Sequence, residues 1–548
     1  MRNRVALAVG SSLLLLSSCA VDAPAPPAPG RAAAAAEVTP PPPVDSATAL
    51  PPGGGCHPVG IAASGLDLFP LVNPEWAPVV AGASPESTPV LLHGTVAGSH
   101  VSREDFPSTH VTFDQNTSID LDAADRGLLA TGNAREDGAL ELEWETGSYP
   151  AWAWASAGDR IVAAGRWIFD CGHPDPIPGA CADASAAACV LDSDCAPGVA
   201  CQGTVFDYRS ELHPPQAVAV IRSGGAAPLS PAEGILAGPV VPVTQADVFV
   251  SPDGGGAGDL CVATAKPDFA SFLGTPPNPG CFPLSAPLAL LPPDAPPLDA
   301  ADFAFDVPLP ARPRGSAIDF RVIPRDLPAA AADVPARLEI QPVLDPSPHL
   351  HAVVRMTEAD ASGRLPTGFA ASILAGWRGG PRRAFAHVRV TLEGITVLDP
   401  LKAPPYPGVP VPDGWVMEAS LDGTWQVIGG LDAVGAASAG SFVPLHASFD
   451  RWVPRGGTVA LLASAASRSC NDTLFGQRLF DDLARFGFDT TAAFACMADR
   501  QQRDAGTVAA TIPVPSLGVL PARYVAPAAG GGAAYALAFR VERLADGP

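Results

Sequence analysis

Basic residues are scarce in this chain of 548 residues. Lysine and arginine number 33 against 56 aspartates and glutamates, so the formal net charge is −23 at pH 7 and the isoelectric point is near 4.7. Proteins that hold nucleic acid displace phosphate counterions with lysine and arginine side chains. The acidic balance therefore disfavours nucleic acid as a partner.

The chain also lacks the sequence templates of several common sites. It contains no Gly-x-Ser-x-Gly elbow, no P-loop, no His-Glu-x-x-His pair and no complete EF-hand loop. After the N-terminal segment there is no stretch of about 20 apolar residues free of proline and charge, which a membrane-spanning helix requires. A catalytic or metal site would have to be assembled from residues that are distant in sequence.

Proline and glycine are abundant instead, with 63 and 54 residues. Both interrupt long helices and favour short strands joined by turns. A hydrophobic content of 47 % is enough to build real cores. Apolar and polar residues alternate with period two over 110–121, 140–145 and 388–393, which is typical of half-buried strands. We therefore predict a mainly β protein.

The N-terminus reads as an export signal. Two arginines precede an apolar run over 5–16, and small residues follow before a cysteine. The sequence Leu-Ser-Ser-Cys at 16–19 resembles the bacterial lipobox, which implies that Cys19 carries a diacylglyceryl group and becomes the acylated N-terminus. The alternative is an ordinary signal peptide with a coincidental cysteine. Ala20, rather than aspartate, implies transfer to the outer membrane, where the lipid is the membrane contact.

Shifts in composition divide the rest of the chain. A Pro/Ala-rich segment cannot bury a core and is predicted to be a tether. The pair Asp422-Gly423 predicts a two-residue hairpin turn, because both residues tolerate a positive φ. The predicted organisation is a signal peptide and lipobox 1–19, a tether 20–55, a small β barrel or sandwich 56–225 with a cysteine-rich insertion 181–201, a β-sandwich-like domain with Pro-rich loops 226–375, and a C-terminal antiparallel β-sandwich 376–548 with one short helix 473–486.

Ten cysteines remain after Cys19, an even number that predicts disulfides in an exported chain. Four lie in the insertion at spacings that do not fit a zinc ribbon, so two bridges are expected inside 181–201. Proximity in sequence suggests Cys261 with Cys281 and Cys470 with Cys496, and it leaves Cys56 for Cys171, although connectivity stays open. The ten are Cys56, Cys171, Cys181, Cys189, Cys195, Cys201, Cys261, Cys281, Cys470 and Cys496.

One pair of segments resembles a family. Residues 158–173, GDRIVAAGRWIFDCGH, followed by SELHPPQAVAVIR at 210–222 and preceded by HGTV at 93–96, are similar to a pattern in uncharacterised exported bacterial lipoproteins. The resemblance covers about 130 residues and implies an OB-like five-stranded barrel at the N-terminus, but no particular activity. It predicts that strand 160–170 lies beside strand 211–221 in one domain.

The same two segments carry the candidate metal site. Glu211 and His213 would share one face of an extended strand, and Asp170 and His173 end the neighbouring strand. Imidazole and carboxylate ligands with an open position could hold Zn²⁺ and activate water. The alternative is a structural polar network in which the carboxylates pair with Arg160, Arg166 or Arg209.

An aromatic group offers a different kind of site. Trp144, Tyr149, Trp152, Trp154 and Trp167 could stack on sugar rings, with Trp152 and Trp154 alternating onto one side of a strand. Packing in a hydrophobic core is the competing explanation for the same residues.

Three functions are compatible with these features. The first is a cell-envelope lipoprotein with a tethered β-rich ectodomain that has a binding or structural role, without catalysis or cofactor, toward a protein or glycan partner. The second is a metal-dependent hydrolase that uses Asp170, His173, Glu211 and His213. The third is carbohydrate or nucleic-acid binding by the OB-like domain, for which nucleic acid is disfavoured by the charge.

Overall fold

The computed structural model describes most of the β-rich part of the chain. The described residues belong to one compact unit, Pro40–Pro548. The predicted signal, tether and helix 473–486 lie outside them. None of the helices in these ranges has the length and apolarity that a membrane crossing needs. The ranges are 62–63, 66–67, 76–79, 89–101, 114–145, 149–170, 175–190, 192–229, 240–251, 302–327, 336–379, 385–401, 415–428, 431–434, 437–467, 504–514, 517 and 521–546.

Seven described strands and one α-helix lie within residues 62–170. Gly158 has a φ of 89°, which a residue with a side chain rarely adopts, and it forms the turn before the motif strand at 160–170. Short 3₁₀ turns occupy 126–128 and 151–153. The elements are β1 (Ala62–Ala63), β2 (Leu66–Asp67), β3 (Trp76–Pro78), β4 (Pro89–Val101), β5 (Asp114–Leu121), α1 (Thr131–Glu136), β6 (Leu140–Glu145) and β7 (Arg160–Asp170).

The cysteine-rich insertion is part of a small β module that two disulfides cross-link. Cys181 is bonded to Cys195 and Cys189 to Cys201, which confirms the two bridges predicted inside 181–201. The other six cysteines predicted to pair lie outside the described residues. Another 3₁₀ turn occupies 192–194. The strands are β8 (Asp175–Ile177), β9 (Gly179–Cys181), β10 (Ala188–Cys189), β11 (Cys201–Gln202) and β12 (Val205–Asp207), with β9 between β10 and β11, and β8 paired to β12.

The strand after the insertion, β13 (Ser210–Pro228), closes a five-stranded barrel. Around the ring, β4 pairs with β5, β5 with β6, β6 with β13, β13 with β7, and β7 with β4. Of these five pairs, only β6–β13 is parallel. This order confirms the OB-like barrel and places the two motif segments side by side. Its core contains Leu92, Ile119, Leu142 and Val218.

The barrel sheet continues into the next strands. These are β14 (Val240–Val250), β15 (Phe303–Pro308), β16 (Ala317–Pro324), β17 (Arg337–Val343), β18 (His349–Arg355) and β19 (Phe369–Arg378). β14 pairs with β13 and β19, and β16 forms one edge beyond β19. A three-stranded sheet, β15-β18-β17, packs on this surface through Phe303, Val307 and Leu350. Strand β13 continues past residue 225, the last residue of the predicted barrel domain. The predicted domain boundaries stay predictions.

The C-terminal strands form the predicted antiparallel sandwich. Sheets β23-β20-β27-β26 and β22-β21-β24-β25 enclose one core that includes Val390, Leu461 and Phe539. Asp422 and Gly423 have φ values of 47° and 82° and confirm the predicted hairpin. A last 3₁₀ turn occupies 431–434. The strands are β20 (Phe385–Val397), β21 (Trp415–Leu421), β22 (Thr424–Ile428), β23 (Phe442–Pro454), β24 (Thr458–Ser467), β25 (Asp504–Pro513), β26 (Ala522–Pro527) and β27 (Tyr535–Asp546).

Candidate metal centre

The parallel contact between β6 and β13 brings acidic residues together on the outside of the barrel. Glu211 stands opposite Glu141, and Leu212 stands opposite Leu142. Successive side chains of a strand point to opposite faces. Since both leucines belong to the barrel core, the glutamates lie on the other face of the sheet.

Three side chains on this face converge. Glu143, Glu211 and His213 each offer one potential ligand atom, and the three atoms lie within 4.8 Å of one another. Nδ1 of His213 is 3.1 Å from Oε2 of Glu143 and 3.7 Å from Oε1 of Glu211. The exposed fractions of the three residues are 7 %, 4 % and 2 %. We call these residues the carboxylate–histidine cluster.

Burial governs the electrostatics of the cluster. It raises the pKa of Glu211 well above its usual range, and the charges of Glu143 and Asp170 raise it further, while the hydrogen bond with His213 acts in the opposite direction. Burial also raises the pKa of Glu141 to about 7, with Glu143 again adding to the shift. Negative charge is therefore costly here unless a cation balances it.

Asn116 adds an acceptor to the same face. It stands opposite Glu143 in the β5–β6 pair and is 8 % exposed. Its side chain hydrogen-bonds the carboxylate of Glu141, which lowers the pKa of that group. Its Oδ1 atom has no hydrogen-bond partner among the described residues. A buried amide oxygen without a donor carries a desolvation cost, and it can also bind a cation.

The residues predicted for a metal site are only partly brought together. Glu211 and His213 are in the cluster. Asp170, the last residue of β7, is near enough for its charge to act on Glu141 and Glu211, although it is not one of the three converging residues. His173 lies outside the described residues.

Sequence reasoning missed Glu143 as a ligand. The alternation in β6 places Glu143 opposite to the leucines, which indicated a solvent-facing side chain, but the residue is buried. The signal was the glutamate repeat itself, at 141, 143 and 145, beside a strand that carries Glu211 and His213. Of the three arginines expected as partners in a structural network, Arg160 pairs with Asp122, Arg209 lies close enough to lower the pKa of Glu141, and Arg166 is buried on β7, the strand paired with β13.

The aromatic side chains considered for sugar stacking lie mainly in the hydrophobic core of the barrel. The rings of Trp144 and Tyr149 stack with centroids 4.9 Å apart, and both are buried with Trp154. The expectation that Trp152 and Trp154 alternate along a strand is wrong. Residues 151–153 form a 3₁₀ turn, and Trp154 follows it in the barrel core. Sugar stacking on the buried rings is therefore blocked by their packing.

The ligand chemistry of the cluster suits a divalent transition metal. Zinc binds imidazole nitrogen and carboxylate oxygen, and three protein ligands leave one position of a tetrahedron for water. The structure brings a second group of possible ligands together, namely Cys181, Cys189 and Cys195. Their sulfur atoms are already bonded in the two disulfides.

Comparison with known proteins identifies no family. No family model matches the chain, and no curated protein matches it. It is similar to two solved structures of Extended-Synaptotagmin 2. The first, a calcium-bound pair of its domains, has 9 % identity and a TM-score of 0.16 over 37 % of this chain and 68 % of that chain. The second, the same pair together with the SMP domain, has 8 % identity and a TM-score of 0.18 over 83 % and 89 %. Similarity this weak carries no argument.

Proposed function

We propose that the protein is a lipid-anchored cell-envelope protein whose β-rich ectodomain acts by binding, and that its barrel holds a divalent metal ion. The lipobox resemblance at Cys19, the Pro/Ala-rich tether and the even number of remaining cysteines support an exported, anchored chain. The two disulfides of the insertion are of the kind that oxidising compartments permit.

The convergence of Glu143, Glu211 and His213 carries the metal assignment. Two carboxylates and one imidazole meet here, and Asn116, opposite Glu143 in the β5–β6 pair, has an Oδ1 atom without a hydrogen-bond partner among the described residues. A Zn²⁺ ion would offset the cost of the buried carboxylates and use the imidazole nitrogen as a third ligand.

Burial favours a binding or structural metal over a catalytic one. The metal-dependent hydrolase suggested by the sequence requires a substrate that reaches metal-bound water. Less than a tenth of each ligand residue is exposed. We therefore assign the metal to the stability of the barrel wall where β6 meets β13.

Metal content tests the proposal directly. The full chain in detergent is dialysed against zinc and then against metal-free buffer, and bound zinc is measured by mass spectrometry. We expect about one zinc per chain, as for a dedicated three-ligand site. Glu143→Gln and His213→Asn should each lose most of it.

Asp120→Asn is the matched control. Asp120 is an exposed acidic residue on β5 of the same barrel and lies outside the cluster. This variant should keep the wild-type zinc content. Retention of full zinc by both cluster variants, or equal loss in the control, would refute the site.

A further inference from the structure

Asn116 lies beside the three converging residues of the proposed metal site. It belongs to β5, which pairs with β6 in the barrel wall, and it stands directly opposite Glu143. Directly opposite residues of an antiparallel pair have Cβ atoms about 4.5–5.5 Å apart on the same face of the sheet. A metal ion held by Glu143 is therefore within reach of the Asn116 side chain.

The neighbours of Asn116 fix the face on which it lies. Thr117 stands opposite Leu142, whose side chain belongs to the barrel core, so Thr117 faces inward and Asn116 faces outward. Glu143 follows Leu142 and faces outward for the same reason. Only 8 % of Asn116 is exposed, so the outer face of the barrel is covered at this point. Asn116 and Glu143 thus share one buried region outside the barrel.

The two ends of the Asn116 amide have different surroundings. The side chain donates a hydrogen bond to the carboxylate of Glu141, and the donor is the amide nitrogen. The amide oxygen, Oδ1, has no hydrogen-bond partner among the described residues. A buried acceptor without a donor keeps the whole cost of its desolvation, and a bound cation offsets that cost. The oxygen, and not the nitrogen, is thus the atom that remains for an ion.

An amide oxygen also suits the charge of this face. The three converging residues supply one imidazole nitrogen and two carboxylate oxygens. Amide carbonyl oxygens bind divalent cations as neutral ligands, so a contact through Oδ1 adds no further negative charge beside Glu141, Glu143 and Glu211. Structural zinc sites have four protein ligands, whereas catalytic sites keep one position for water.

We propose that Asn116 is the fourth ligand of this site, with its Oδ1 atom in the coordination position that a catalytic metal leaves to water. The role of Asn116 depends on the metal site proposed above. With four protein ligands the ion joins β5, β6 and β13, three strands of the barrel wall. The metal then has no position for a water nucleophile, which argues against the hydrolase alternative.

Cobalt substitution tests whether the site is closed. Co²⁺ replaces Zn²⁺ in such sites, and its visible absorption spectrum depends on its ligands. The full chain in detergent is loaded with Co²⁺, azide is added, and Glu143→Gln serves as the blank. The wild-type spectrum should not change, because no coordinated water is available for azide to replace. A saturable change would show an open position and overturn the fourth ligand, while the three-ligand site would stand. A wild type that binds neither cobalt nor zinc would refute the site itself.

Variants of Asn116 measure its contribution to binding. Asn116→Ala should bind Co²⁺ at least tenfold more weakly, and its spectrum should respond to azide, because water fills the vacated position. Asn116→Asp keeps an oxygen at that place, so it should bind Co²⁺ without a response to azide. Ser118→Ala is the matched control on the same face of β5, opposite Glu141, and it should match the wild type. Wild-type affinity and spectrum in Asn116→Ala would overturn the proposal.

Discussion

His213 lies with its Nδ1 3.1 Å from a carboxylate oxygen of Glu143, on the neighbouring strand of the barrel. The contact exists because β13 enters the barrel parallel to β6 and carries Glu211 and His213 along the face that Glu141 and Glu143 occupy. An imidazole nitrogen and two carboxylates are thus fixed on rigid strands, which hold a ligand set more accurately than loops do.

Glu211→Gln should lower the thermal stability, relative to the wild type, only when zinc is present. In the metal-free protein the buried carboxylate is crowded by Glu143 and Asp170, so an isosteric neutral amide should not lower the melting temperature. With zinc the wild type should gain about 2.7 kcal/mol at a hundredfold excess over Kd, and the variant should gain little. Differential scanning calorimetry of the wild type and the variant, with and without zinc, measures the melting temperatures. A variant that melts much lower without metal, yet still responds fully to zinc, would contradict it.

Much of the fold follows from local patterns. Period-two alternation over 140–145 and 388–393 indicates β6 and β20, because this signal depends on nearby residues alone. Pro324 and Pro342 lie in β16 and β17, which are edge strands of their sheets, where a residue without a backbone N–H is tolerated. The strand pattern left a barrel and a sandwich open, and the family resemblance favoured the closed barrel, since pairing between distant strands leaves no local periodicity.

Only part of the candidate site could be predicted from the sequence, for the same reason. Glu211 and His213 could be placed on one face because they are two residues apart on one strand. The half-buried pattern at 140–145 leaves Glu143 on the face away from the leucines, and alternation does not say whether another part of the fold covers that face. The orphan Oδ1 of Asn116 is likewise a property of tertiary packing.

Asp159 should make stability depend on pH. It accepts a hydrogen bond from Nε of Arg222 at 2.9 Å, and burial raises its pKa to about 6 despite that partner. A carboxyl with a raised pKa in the folded state favours folding while it is protonated. Its contribution is therefore present below the unfolded pKa near 3.8 and is lost as pH rises through about 6.

Asp159→Asn removes this titration. Relative to the wild type, the variant's unfolding free energy should improve by roughly 2 kcal/mol between pH 4 and pH 7, given about 1.4 kcal/mol for each pKa unit. Urea unfolding followed by tryptophan fluorescence at both pH values measures the difference. A difference between the two proteins that does not change from pH 4 to pH 7 would exclude Asp159 as the titrating group.

Gly94 and Gly98 on β4 should respond very differently to alanine. A Cβ at Gly94 would lie 2.3 Å from a methyl carbon of Ile119 and 2.7 Å from the backbone oxygen of Asp120, whereas one at Gly98 would meet nothing within 4 Å. Overpacking of a core costs about 1–3 kcal/mol. Thermal unfolding should show a clear loss for Gly94→Ala and almost none for Gly98→Ala. Equal effects would mean that β4 and β5 separate easily.

Cys19→Ser should detach the protein from the membrane. If Leu-Ser-Ser-Cys at 16–19 is a lipobox, the Cys19 sulfur is the atom that is diacylated, and the acyl chains are the proposed anchor. Ser18→Ala is the matched control, because it keeps a small residue before the cysteine. After cell disruption and a high-salt wash, the wild type and the control should sediment with outer membranes, while Cys19→Ser should stay in the supernatant. Salt removes electrostatic adsorption but not lipid insertion. A Cys19→Ser protein that still sediments would show that another part of the chain binds the membrane.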